Sequence, residues 1–354
     1  MSQPSFQIMN AFRKGIIALW VLYFMWRGIF PSQVCAQKKD DTYQLKVPVE
    51  LVIVPVTVID KDGNLISDLT KEDFELYVDG VPQAVTYFST DPVPLSVAIL
   101  IDKSMESTTL SSIKNTLTSL VESFSPFDEI AIFQFENTSD KLQDFTFNKE
   151  EVLAALKKLS FASASGSTFG EGSFSGTGGT GDTKINGVVL DSAQGRVPPP
   201  KTLNTHIHDA VFNTAMELRR RSKERRGIIV IISNGQNAPG NRVSYDEAIG
   251  AVVRAEIQIY SIAQGSSLFY RKLNLLGKYA SASGGSVFFP VKNESLSDAY
   301  QKTGQMARNK YTLGFVPHDN VKEPTFQKLT VRIRTKDSKV EDIRYRKGFY
   351  LMPH

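Results

Sequence analysis

The chain has 354 residues, enough for two domains with a sizeable core, and its apolar (41%) and charged (22%) fractions are those of a folded globular protein rather than a disordered or fibrous one. Its 41 basic and 37 acidic residues give a formal charge of +4. Three of the basic residues, both tryptophans and the one cysteine, Cys35, fall within the first 36 residues, so the remainder is close to neutral. That offers no case for nucleic-acid binding and excludes a disulfide scaffold or a thiolate metal site.

At the amino terminus Arg13 and Lys14 precede the apolar run Gly15–Trp26, Arg27 breaks it, and Val34-Cys35-Ala36 provides a small-residue cut site. This reads as a secretory signal peptide over residues 1–36, with a secreted, periplasmic or cell-envelope location. The run is shorter than the ~20 residues of a comfortable membrane span, although left uncut it would tether the chain to the inner membrane. Residues 37–47 read as a linker. Val49–Val58 is β-rich, with Pro55 suited to an edge or bulge, and Asp60–Asn64 is a turn by its Asp and Gly content. Phe74–Val78 and Ala84–Phe88 flank Asp79-Gly80, a hairpin signal. Such short strands cannot bury a core alone. Tyr311–Val316, Phe326–Arg334 and Glu341–Tyr350 supply partners, so residues 48–91 and 310–354 are expected to build one β-sandwich around a domain at 92–309. The alternative is two separate small β units.

Inside that frame strands alternate with helices. Leu95–Ile101 is apolar at six of seven positions and reads as a strand buried on both faces. A helix at 108–124, the strand Ile130–Phe135, an edge strand at Lys141–Phe147 and a helix at 150–159 follow. Then come a helix at 205–221, the strand Ile228–Ile232, a helix at 245–254, the strand Ile257–Ile262, a helix at 268–280, a short strand at Val287–Phe289 and a helix at 296–307. The pattern is α/β, a doubly wound and mostly parallel sheet. Residues 161–204, rich in Ser and Gly and containing Pro198-Pro199-Pro200, are too polar to pack and read as a disordered insertion. It is either a loop without a task or a lid or partner-capture loop.

The carboxyl end of Leu95–Ile101 carries Asp102 and Ser104, at the sheet edge where open α/β folds bind ligands. Asp102-x-Ser104 after such a strand resembles the opening of the metal-ion-dependent adhesion site (MIDAS) of von Willebrand factor type A (VWA) domains, Asp-x-Ser-x-Ser. The fifth place holds Glu106. The wider chain resembles secreted bacterial VWFA-related proteins, through Val56-Thr57-Val58, Leu69-Thr70-Lys71-Glu72-Asp73-Phe74 and Asp79-Gly80-Val81-Pro82-Gln83. The resemblance implies a second loop at Asn204–Ala210, with Thr205 in the metal-coordinating position. It also implies a third loop, Ser233-Asn234-Gly235, where Asn234 stands for the family's Asp. The metal set is then Asp102, Ser104, Glu106, Thr205 and Asn234, with Glu106 replacing the anion lost at 234.

The ion would be Mg²⁺, or Ca²⁺ or Mn²⁺, hard cations that take oxygen ligands and can leave a position for a partner. The implied function is extracytoplasmic protein binding of the adhesion type, through an acidic residue of a protein partner. The alternative is a cell-envelope scaffold component whose metal-free site merely caps a helix. No nucleophile elbow, HExxH or acid/base pair points to an enzyme. Asp209 suits the helix amino terminus or bonding around the site, and His206-x-His208 lacks companions for a transition-metal set. Arg219-Arg220-Arg221 with Lys223, Arg225 and Arg226 reads as a solvated helix end, or else a patch for anionic lipid or polysaccharide.

Overall fold

The structure is a computed structural model that describes residues 51–105, 107–159, 183–185, 188–190, 205–264, 275–290, 293–308, 311–317, 321–334 and 340–353. In chain order they form β1 (Val52–Asp60), β2 (Phe74–Val78), β3 (Val81–Gln83), β4 (Tyr87–Ser89), β5 (Leu95–Asp102), α1 (Ser107–Ser123), β6 (Glu129–Phe135), β7 (Ser139–Thr146) and α2 (Lys149–Lys157). There follow β8 (Thr183–Ile185), β9 (Val188–Leu190), α3 (Ile207–Arg219), β10 (Arg226–Ser233), α4 (Tyr245–Arg254), β11 (Gln258–Ala263), α5 (Leu275–Ser283), β12 (Val287–Phe288) and α6 (Asn293–Ala307). The chain closes with β13 (Tyr311–Phe315), β14 (Thr325–Ile333), β15 (Val340–Arg344) and β16 (Gly348–Leu351). The signal peptide expected over residues 1–36 and the linker expected over 37–47 lie outside the described residues. So does most of the 161–204 insertion, in which β8 and β9 pair antiparallel.

The central sheet runs β12-β11-β10-β5-β6-β7, parallel except for the edge strand β7. All eight residues of β5 are buried, because helices cover both faces. Val97, Ile99 and Ile101 pack with α1, α2 and α6, while Ala98 and Leu100 pack with α3, α4 and α5. This is the two-residue period of a strand divided between two cores. Each fully buried Val, Leu or Ile contributes roughly 1.5–3 kcal/mol, so the central strands carry much of the stability. At the end of α5 the chain doubles back sharply. Gly284 adopts φ 82°, and a Cβ on Gly285 would lie 1.9 Å from the Ile259 carbonyl oxygen, so only glycine lets this turn press against β11.

Two further four-stranded sheets, β15-β1-β13-β4 and β16-β14-β2-β3, each mix strands from both ends of the chain. They enclose a separate core that includes Val54, Val56, Leu76, Leu313, Phe315, Leu329 and Phe349. Pro55 pairs with Thr312 on one flank, whereas β15 joins β1 only from Thr57 onward, so the proline sits where the other flank has no partner.

Two expectations need correction. The hairpin returns at once through Val81–Gln83, since Asp79 (φ 49°) and Gly80 (φ 86°) make a two-residue turn with both residues left-handed. The segment expected to return, Ala84–Phe88, instead leads into β4 of the other sheet. The single strand expected at Glu341–Tyr350 is two, β15 and β16 in different sheets, with Tyr345-Arg346-Lys347 crossing between them.

Candidate metal-binding rim

Three loops meet at the carboxyl end of the central sheet. The first leaves β5 at Asp102, whose side chain is fully buried. Its Oδ1 accepts the Ser104 amide (2.9 Å) and hydroxyl (2.6 Å). From the third loop Ser233 Oγ donates to Asp102 Oδ2 at 2.6 Å. From the second, buried Thr205 donates through Oγ1 to Ser104 Oγ at 2.6 Å. A continuous run of side-chain oxygens, Thr205–Ser104–Asp102–Ser233, therefore joins all three loops. Ser233 lies outside the set expected from the sequence, and its place at the end of an apolar strand is the signal that points to it.

The loops are stitched by bonds that sequence spacing does not disclose. Lys103 N and His206 N donate to the Phe135 and Glu136 carbonyls at the end of β6, and Ala238 N donates to Thr205 O at 2.7 Å. Asn237 and Asn241 cap α3 from thirty or more residues away, accepting the amides of Ile207 (2.9 Å) and His208 (3.1 Å). Asp209 reciprocates, its Oδ1 accepting the Arg242 and Val243 amides at 2.8 and 3.0 Å. It thus anchors the third loop to α3.

Of the five residues expected to hold metal, Asp102, Ser104 and Thr205 come together. Asn234 lies on the same rim, but its Oδ1 accepts the Gln236 amide at 2.9 Å, a local turn of its own loop. Residue 106 lies outside the described residues. His206 and His208 diverge: His206 Nδ1 is 4.0 Å from Asp209, while His208 Nδ1 sits 2.8 Å from Tyr279 Oη with Tyr245 edge-on to its ring. Burial holds the His208 imidazole below its usual pKa, against the pull of Asp209.

Burial pushes the Asp102 carboxyl above the usual range, and the Ser104 and Ser233 hydroxyls with the Ser104 and Asn234 amides recover only part of that. Among the described residues Asp102 forms no ion pair. A buried carboxyl without a counter-charge, beside the hydroxyl oxygens of Ser104, Thr205 and Ser233, fits a hard divalent cation. With a single carboxylate in the described set, the fit is to a weakly held ion. No group of three or more His, Cys, Asp or Glu side chains suited to a metal occurs among the described residues, so hydroxyls would have to supply the other ligands.

A doubly wound sheet with one antiparallel edge, and three loops converging on an Asp-x-Ser turn, decide the architecture. The fold is mixed α/β with a mostly parallel sheet, of the VWA or Rossmann-like kind.

No family model and no curated protein sequence matches the chain. Among solved structures it is similar to a von Willebrand factor type A protein from Catenulispora acidiphila, at 8% identity over 85% of this chain and 72% of that one, with a TM-score of 0.43. It is similar to an aerotolerance-related membrane protein from Bacteroides fragilis, at 15% identity over 60% and 98%, with a TM-score of 0.40. A third similar structure is proximal thread matrix protein 1 from the mussel byssus with a zinc-occupied MIDAS motif, at 15% identity over 65% and 49%, with a TM-score of 0.39. The chain thus spans about half the length of the mussel protein.

No helix among the described residues is long and apolar enough to cross a membrane.

Proposed function

We propose that this VWA-type chain is a non-enzymatic protein-binding module working outside the cytoplasm, and that it engages its partner at the three-loop rim through a divalent cation. The carrying observation is the Thr205–Ser104–Asp102–Ser233 run of oxygens, fixed by main-chain bonds between the loops and built on a carboxylate that lacks a counter-charge. Asp102, Ser104 and Thr205 would hold Mg²⁺, Ca²⁺ or Mn²⁺. Glu106 is the candidate for the second carboxylate, and Asn234 would orient a metal-bound water. The bound ion would supply a Lewis-acidic position that an acidic side chain of the partner completes. The signal peptide expected over residues 1–36 supports the location, and the near-neutral remainder speaks against nucleic acid as the partner.

A second reading has one observation in its favour. The hydroxyls already satisfy Asp102, and Asn234 turns to its own loop, as in a metal-free remnant serving a cell-envelope scaffold. Thermal unfolding in Mg²⁺ and in EDTA separates the two. The ion should stabilise the wild-type chain by about 2.7 kcal/mol at a hundredfold excess over Kd, and Asp102→Ala should abolish the response. Identical curves for the wild type with and without millimolar Mg²⁺ would leave only the remnant.

A further inference from the structure

At the opposite end of the central sheet a cleft of about 800 Å³ opens between the amino-terminal ends of β5 and β10, the carboxyl-terminal ends of α3 and α4, and the sandwich strands β1 and β16. Arg226 and Ser233 bracket β10, so seven residues at ~3.3 Å each put the cleft about 23 Å from the rim. Seven basic side chains line it against one carboxylate, Glu256. Arg221 and Arg225 hold the buried Glu129, and Arg346 pairs with Glu256 at 3.0 Å. The other four basic residues have no carboxylate partner among the described residues. Helices α3 and α4 both end here, and their carbonyl ends offset about one unit of charge between them. A surplus of about four positive charges remains.

Arg226 is the informative member. It is only 8% exposed, and its guanidinium reaches neutral acceptors alone, the Arg308 carbonyl and Thr312 Oγ1, each at 3.3 Å. A guanidinium taken out of water without an anion is costly. Burial depresses its pKa, the direction expected where no carboxylate offsets desolvation. At the mouth Arg254 lies 4.7 Å over the Tyr350 ring, and Leu51, Tyr87 and Met352 are each more than 40% exposed.

We infer that this cleft binds a small soluble ligand bearing phosphate groups, with Arg226 as the buried counter-charge, Lys223 and Arg254 at the entrance, and the apolar rim against the remainder of the ligand. The volume lies within the ~300–1,000 Å³ of small-molecule sites. Several guanidinium forks around one concavity suit an anion with many oxygens. Arg226 lies too deep to meet a bilayer headgroup.

The test is calorimetric titration of the full chain with inorganic pyrophosphate in EDTA at low salt, where a rim cation plays no part. Saturable binding is expected, weakened roughly tenfold by each of Lys223→Glu and Arg254→Glu. Arg226→Met should lose binding while melting no lower than the wild type, which distinguishes a missing ligand contact from a damaged fold. Absence of binding at millimolar pyrophosphate, or equal binding by all three variants, would overturn the inference. Co-sedimentation with phosphatidylglycerol vesicles without any response to pyrophosphate would also overturn it, in favour of a membrane surface.

Discussion

At its carboxyl-terminal rim the central sheet buries a carboxylate, Asp102, among hydroxyls and amides; at its other end it buries a guanidinium, Arg226, among neutral acceptors. Neither forms an ion pair among the described residues. Close to Arg226 a third buried ion behaves differently. Glu129 is held by Arg221, Arg225 and the Ser96 hydroxyl, so its charge is met within the chain. The contrast separates ions that the fold itself compensates from ions that the fold leaves open. Only the latter have a reason to recruit something from outside.

The largest effect is expected where compensation is removed. Arg221→Met strips the two-pronged partner from Glu129, and although Arg225 and Ser96 remain, a loss of about 3 kcal/mol in chemical denaturation is expected. Burial alone would raise the Glu129 pKa, yet Arg221 and Ser96 hold it below the ordinary carboxylate value. A depressed pKa gives stability that is present above the unfolded value of 4.5 and lost as pH falls through the folded one, so the Arg221→Met deficit should shrink in acid. A deficit that stays constant down to acid pH would mean that Arg221 acts by packing on Phe145, whose ring lies 4.8 Å beneath it, rather than by charge.

A smaller effect sharpens the picture of the rim. His208 is held neutral by burial between Tyr279 and Tyr245, its pKa below 6.5 despite Asp209. The stability this gives is present above 6.5 and declines as pH falls from there. The slope can be no steeper than about 1.4 kcal/mol per pH unit, the limit for one proton. His208→Phe should flatten that slope in thermal melts between pH 7 and 5. An unchanged slope would assign it to another group.

The strands Leu95–Ile101 and Ile228–Ile232 were legible because burial on both faces leaves an unbroken apolar run, and their carboxyl ends pointed to Asp102, Ser104 and the Ser233-Asn234-Gly235 loop. The return of the first hairpin falls earlier than expected because the β-branched and aromatic residues of Ala84–Phe88 look strand-like wherever they lie. Only the left-handed geometry of Asp79-Gly80 dictates that pairing begins at Val81. The run from Arg219 to Arg226 reads as a solvated helix end, yet it divides. Arg220 stays exposed on Glu217, Arg221 and Arg225 reach Glu129 across more than ninety residues of sequence, and Arg226 is buried at the start of β10. Such partners belong to tertiary structure, and so do the asparagine caps of α3. No local pattern announces them.

Whether the rim holds a divalent ion is read directly by electron paramagnetic resonance of added Mn²⁺. One Mn²⁺ should be immobilised per chain in the wild type, and Thr205→Val, which removes the hydroxyl bonded to Ser104 while keeping the side-chain shape, should release it. If the wild type leaves millimolar Mn²⁺ free, or if Thr205→Val binds as the wild type does, the three-loop cluster is not a metal site.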